Sequence, residues 1–358
     1  MMAGNNRDCG SKNSRFPISL IVEARTTGWS TLEPDDSAPS SLGLRIHPMR
    51  NRRQRGTILG AHRSRRHGLC SLGFALAIAA APSIAAADDD AAPKAGLPGN
   101  PFYALDTKNL FGFLEGADVG EKGDRSLEFE TTGSFGKTEG VYRSIEQEFI
   151  FENALTDSFG LELGAHMLGQ DIRGVSGLPD FVGVNFSGVS AEFRYVVLHR
   201  TKDDPIQVTL TVEPEYSVIA DAGQQANDFS TTFRAIADVI SSDQRLYGAI
   251  NLVYAPDGSR LRGQLWQDTA LISASAALSY RPTPALMFGA EADYDRAYGG
   301  LVPRGFEGQA FYIGPTFHYQ INEKIDLSAA FLAQTPVRRL DFDEFPRQLA
   351  KLRLEVDF

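Results

Sequence analysis

Glu291, Asp293 and Asp295 stand at every second position of one stretch, interleaved with Phe288, Ala290, Ala292 and Tyr294. Alternate residues of an extended chain share a face, so the three carboxylates fall together. Unit charges about 7 Å apart repel by roughly 0.6 kcal/mol at the dielectric of water, and several times more in a narrow cleft. Such a face needs arginine partners, bound cations or open water. Glu213 and Glu215 repeat the arrangement behind Ile206, Val208, Leu210 and Val212, and Glu355 and Asp357 repeat it behind Leu352, Leu354, Val356 and Phe358. Arg194, Arg234, Arg281 and Arg353 fall on the same charged faces. If the arginines neutralise the acids, the result is a closed, salt-bridged interior; if they do not, the acids line a cation-preferring pore. Both stay open at this point.

Catalysis and metal binding find little footing. Beyond residue 87 the histidines are His166, His199 and His318, and none lies in a His-x-Ser-Asn-Gly arrangement like that of outer-membrane phospholipases. His166 and His318 read as inward hydrogen-bonding groups, so no enzyme and no cofactor are expected. Both cysteines, Cys9 and Cys70, precede residue 87, which leaves no thiolate metal site in the rest of the chain. Asp341, Asp343 and Glu344 lack calcium-loop spacing and read as a solvated loop.

The elements that position these faces are strands. From residue 124 onward, stretches of roughly ten residues alternate in polarity, the length and period of tilted spanning strands. They cover 124–135, 141–152, 159–169, 189–199, 205–218, 228–240, 245–255, 267–281, 285–297, 308–320, 324–334 and 348–358. Tight turns at 153–158, 200–204, 241–244, 281–284 and 321–323 alternate with longer connections near 170–188, 219–227, 256–266, 298–307 and 335–347; only 137–140 is short where a long one is due. Phe149, Phe151, Tyr216, Tyr254, Tyr280, Tyr294 and Tyr319 fall near strand ends and Trp266 at a strand boundary, as interfacial girdle residues do. The fold class is all-β: a transmembrane antiparallel up-and-down β-barrel of about 12 strands, within 10 to 14.

The front of the chain differs in chemistry. Arginines crowd residues 50–66, an apolar run follows from Leu69 to Ala80, and Ala85 and Ala87 precede Asp88. That order describes a signal peptide over 49–87 cut after Ala87, with 1–48 an over-extended start or disordered. The net charge of −10 then becomes about −17 for residues 88–358, which excludes a nucleic-acid partner and suits a cation-leaning lumen. Residues 88–123, rich in Pro, Gly and Asp around Leu110, Phe111, Phe113 and Leu114, read as a periplasmic tail or an inserted plug.

Leu354, Val356 and Phe358 resemble the terminal assembly signal of outer-membrane barrels. The runs Asn100-Pro101-Phe102-Tyr103-Ala104, Asp106 to Phe113, Glu115 to Asp118, Ala191 to Tyr195 and Phe311 to Thr316 resemble a family of uncharacterised proteobacterial outer-membrane barrels. More loosely, the chain is similar to the transporter-like barrels named after phenol-degradation operons. These resemblances imply export through the periplasm to the outer membrane. The implied partners are periplasmic chaperones, the barrel-assembly machinery, lipopolysaccharide and small solutes or ions, and the barrel is expected to be a monomer. Two functions are expected: a passive, cation-leaning channel or transporter, or a closed structural or surface-interaction barrel.

Overall fold

The computed structural model of the chain describes residues 102, 105–201, 204–220, 222–335 and 345–358. The expected start, the signal peptide with its Ala85, Ala87 and Asp88 cleavage site, and the acids Asp341, Asp343 and Glu344 lie outside the described residues.

Twelve strands form: β1 Arg125–Phe135, β2 Val141–Thr156, β3 Phe159–Arg173, β4 Phe181–Leu198, β5 Ile206–Ile219, β6 Gln225–Ile240, β7 Leu246–Leu261, β8 Gln267–Thr283, β9 Leu286–Gly299, β10 Phe306–Asn322, β11 Ile325–Gln334 and β12 Gln348–Asp357. Each pairs antiparallel with its sequence neighbours, and β12 closes on β1. The seam is in register from Ser126↔Asp357 to Phe135↔Gln348, so no strand keeps an unpaired edge. The start of β1 with the residues that precede it, the end of β12 and the short connections 157–158, 284–285 and 323–324 share one end of the barrel, the turn end. The opposite, loop end carries the longer connections.

Alternation dictates an inside-out protein. Leu210, Ile250, Leu278, Phe288, Ile313 and Leu352 are 47–62% exposed on the outer face, which would be an unpaid apolar belt in water and is the lipid-facing belt of a transmembrane barrel. Aromatics pair on it: Phe129 meets Phe149 edge-on at 5.6 Å, and Phe229 at the loop end lies 4.7 Å from Tyr216 and 6.1 Å from Trp266. Inside, the fully buried side chains include Arg194 and Arg281, at 1% and 0% exposure.

Four connections expected to be long are shorter, most of all those at 170–188 and 256–266. β4 begins at Phe181, where sequence alternation places its start at 189, and β7 runs on to Leu261. A bulge opposite His166 and Met167 explains the first difference. It shifts the outward set from Val182, Val184 and Phe186 to Phe193 and Tyr195, so that one strand reads as two incompatible patterns. The walls also differ in length: β4 has 18 residues and β8 and β10 have 17, whereas β11 and β12 have 10.

Candidate functional site

Residues 105–118 enter the turn end of the lumen and fill it as a plug without regular secondary structure. Its apolar residues Leu105, Leu110, Phe111 and Leu114 pack on an apolar patch of the inner wall made by Ile240, Tyr247, Ala249, Ala277 and Met287. Burying each large side chain contributes about 1.5–3 kcal/mol, so this knot anchors the segment independently of its charges. Gly112 forms the close approach, because a Cβ there would lie 2.1 Å from the Cβ of Ala330 on β11. The plug folds back on itself through Gly116 N–H, which donates to Lys108 O at 3.0 Å.

The wall around the plug sets acids directly opposite acids. Glu128 pairs with Glu355 across β1 and β12, Glu355 with Asp326 across β12 and β11, Glu152 with Glu162 across β2 and β3, and Glu162 with Glu192 across β3 and β4. Like charges directly opposite destabilise a strand pair. The plug supplies what offsets this. Lys108 Nζ contacts Glu152 Oε1 and lies 2.8 Å from Glu162 Oε1. Asn109 Nδ2 donates to both Glu128 and Glu355 at 2.9 Å. The amides of Gly112 and Phe113 donate to the two oxygens of Glu291, the latter at 2.9 Å. Thr107 Oγ1 donates to Asp238 at 2.5 Å, and Ala117 N–H reaches the same oxygen at 2.9 Å.

One acid runs the other way. Glu115, on the plug, accepts from Arg194 and Arg234 of the wall, at 2.5 Å each, and both arginines also bind Glu192, at 2.8 and 3.0 Å. Arg194 further donates to Gly116 O at 2.8 Å. Asn251, its amide turned so that nitrogen faces the carbonyl, brackets the Glu115 backbone at 3.0 and 2.9 Å. Burial raises the Glu115 carboxyl, but Arg234 and Arg194 outweigh it and hold the group well below the usual carboxylate range. Burial likewise opposes charge on Lys108, and Glu152 and Glu162 outweigh it, keeping the ammonium charged well above its ordinary value. At the mouth, Asp118 accepts from Gln207 at 2.6 Å and pairs with Arg200 at 3.4 Å, while Arg200 also grips Asp238.

The sequence-predicted residues divide by place. Arg353 lies 2.7 Å from both Glu128 and Glu130, and Lys351 adds a 2.6 Å contact to Glu130. Arg281 donates to Pro284 O at 3.0 and 2.5 Å and to Tyr247 at 3.2 Å, with its guanidinium 5.5 Å from the Phe102 ring centre, fastening the β8–β9 turn. Asp293 and Asp295 take the hydroxyls of Ser275 and Ser273, the former at 2.7 Å. Glu213, Glu215, Asp293 and Asp295 form no arginine or lysine pair among the described residues. His166 lies 3.5 Å from Glu146 and 3.4 Å from Glu148. Asp357 stands opposite Ser126 beside the turn-end mouth; Leu354 and Val356 face outward opposite Phe129 and Leu127, and Phe358 is exposed. Sequence reasoning missed Lys108, Asn109, Glu115, Glu152 and Asp238. For the plug residues the available signal was a lysine and an asparagine beside an apolar knot in an otherwise acidic segment; Glu152 and Asp238 continue the inward alternation of Glu148 and Arg234.

A family model described as a family of unknown function (DUF6662) matches residues 103–354. The chain belongs to this family. No curated protein matches it. Among solved structures, it is similar to the COG4313 outer membrane channel from Pseudomonas putida F1, at 14% identity over 68% of this chain and 98% of that one, with a TM-score of 0.47. It is also similar to the NanC porin, at 10% identity over 65% and 98% with a TM-score of 0.40. A third is the translocator domain of the autotransporter NalP from Neisseria meningitidis, at 12% over 68% and 91% with a TM-score of 0.40. These neighbours of the DUF6662 chain are bacterial outer-membrane barrels.

Proposed function

We propose that this DUF6662 protein gives small cationic solutes passage across the outer membrane, and that residues 105–118 hold the passage shut at its periplasmic end. The observation that carries this reading is the division of the lumen. Around the plug the wall's carboxylates are met by donors of the plug and by Arg194, Arg234 and Arg353, whereas Glu213, Glu215, Asp293 and Asp295 form no salt bridge with arginine or lysine among the described residues. An acidic lumen concentrates cations. A barrel needed only as a wall gains nothing from acids without counter-charges.

In this reading the signal peptide directs export, the Leu354, Val356 and Phe358 strand is taken up by the assembly machinery, and the turn end faces the periplasm, with lipopolysaccharide around the loop end. The protein works as a monomer without cofactor or catalysis, and His166 serves as a lumen hydrogen-bonding group between Glu146 and Glu148. The looser resemblance to transporter-like barrels agrees with passage.

Planar-bilayer conductance of refolded residues 88–358 tests the proposal. The wild type is expected to rest closed, and a chain lacking 105–118 to open in cation-selective steps. A barrel that keeps its heat-modifiable mobility yet stays silent with and without the plug is a structural or surface-interaction barrel instead.

A further inference from the structure

Glu152 and Glu162 oppose each other on β2 and β3, and an ammonium group lies between them. That ammonium is Lys108, which belongs to the plug and not to the wall. Arg194 of the wall stands farther off, its Nε 3.6 Å from Glu162 Oε1, and the pair remains complementary to a primary ammonium that reaches it from the lumen. A cavity of about 120 Å³ adjoins the Glu162 side of the pair, lined by Lys108, Asn109, Glu128, Glu162, Glu192 and Glu213 among others. Seven of its lining side chains are glutamates and four are lysine or arginine, Glu115 and Lys108 coming from the plug and the others from the wall, so the lining is acidic by formal count even with Lys108 in place. Asn109 is 6% exposed, and its Oδ1 has no donor while its nitrogen is fully engaged with Glu128 and Glu355. A buried acceptor without a donor is costly and suits a ligand that brings N–H groups.

We propose that the Glu152 and Glu162 pair with its adjoining cavity is a recognition site for the primary ammonium group of a small organic solute, and that Lys108 occupies it as a tethered stand-in while the passage is shut. The proposal names the solute class for the passage proposed above and rests on that reading for its role in transport, but not for binding itself. A primary ammonium offers three N–H donors in a compact head, enough for the two carboxylates and a third acceptor. A quaternary ammonium has no donor and cannot reproduce the contact. Displacing Lys108 removes one of the plug's holds on the wall, so binding and opening are coupled through one site.

The test uses refolded residues 88–358 in detergent, with methylammonium chloride as probe and tetramethylammonium chloride at equal ionic strength as control. Lys108→Ala is expected to lower the thermal transition, and methylammonium but not tetramethylammonium to restore it. Half the effect should come at a concentration at least about tenfold below that needed with the wild type. Adding Glu162→Gln should abolish the response. If Lys108→Ala does not fold alone, methylammonium present during refolding should recover the heat-modifiable barrel. A folded Lys108→Ala chain that ignores methylammonium, one that responds equally to both cations, or a refolding failure that methylammonium does not relieve overturns the site. Failure of the passage reading appears separately, as a barrel that binds methylammonium and never conducts.

Discussion

Glu128 and Glu355 face each other across the β1–β12 seam, and the side-chain amide of Asn109 donates to both at 2.9 Å. The contact that closes the barrel is therefore also a contact that holds the plug. Asn109→Asp places a third carboxyl between the two and removes both donated hydrogen bonds, each worth about 0.5–1.5 kcal/mol. The plug should unseat. Residues 88–358 contain no cysteine, so an Ala117→Cys reporter, buried at 0% exposure, reads this directly. Thiol labelling should rise at least about tenfold with Asn109→Asp; unchanged protection would contradict the arrangement.

Arg194 joins the plug to the wall by a planar fork, binding Glu115, Glu192 and the Gly116 carbonyl at once. Lysine keeps the charge and loses the fork. Each hydrogen bond from the guanidinium that lysine cannot replace costs about 1.5–3 kcal/mol. Arg194→Lys should therefore free the plug, seen as open-channel events in a bilayer, while the barrel's own heat-modifiable mobility persists.

Gly112→Val separates shape from charge. Its Cβ would collide with the Cβ of Ala330 and Cα of Ala330 at 2.1 and 3.2 Å. The tip then cannot approach Glu291, although no titratable group has changed. Higher conductance and faster Ala117→Cys labelling are expected, and a tightly closed Gly112→Val channel would show that the tip does not need to seat.

Acid should loosen the plug through Glu115. Its carboxyl is lowered in the folded chain from the ordinary 4.5, by Arg234 and Arg194 acting against burial. A lowered folded value contributes stability that is complete above the unfolded value and lost as pH falls through the folded one. Conductance should hold constant from pH 7 to about 5 and rise below 4.5. Glu115→Gln, which cannot titrate, should conduct more at neutral pH and lose that part of the acid response.

Selectivity should reside above the plug. In a chain lacking 105–118, Asp293→Lys with Asp295→Lys is expected to move the reversal potential from cation-selective towards anion-selective. If pores form and their selectivity is unchanged, these two side chains do not line the conducting path.

Most of the wall was legible in the sequence because each strand states its inner and outer faces residue by residue, as Glu291, Asp293 and Asp295 do against Phe288, Ala290 and Tyr294. The start of β4 was not, since the bulge exchanges the two faces midway and Gly183 and Gly188 dilute the strand signal. The plug was harder still. Lys108 and Glu115 carry no periodicity, and the partners of Glu115 lie 79 and 119 residues away. Local pattern can announce an apolar knot, but only the closed barrel brings Glu152, Glu162 and Asp238 around it. Arg281 shows the same limit, because its sequence position gives its inward direction and not its service to Pro284 and Tyr247.

Lys108 is tethered to β1, which begins at Arg125, so an ammonium displaced as proposed above stays within a short reach of its own acid pair. An intramolecular competitor on a short tether acts at an effective concentration of the millimolar order. Reclosure is then a first-order event, indifferent to how much protein the membrane holds. Under the proposed recognition, trace amines would pass unnoticed, and the passage would answer only to a solute abundant enough to outnumber the ammonium the chain carries.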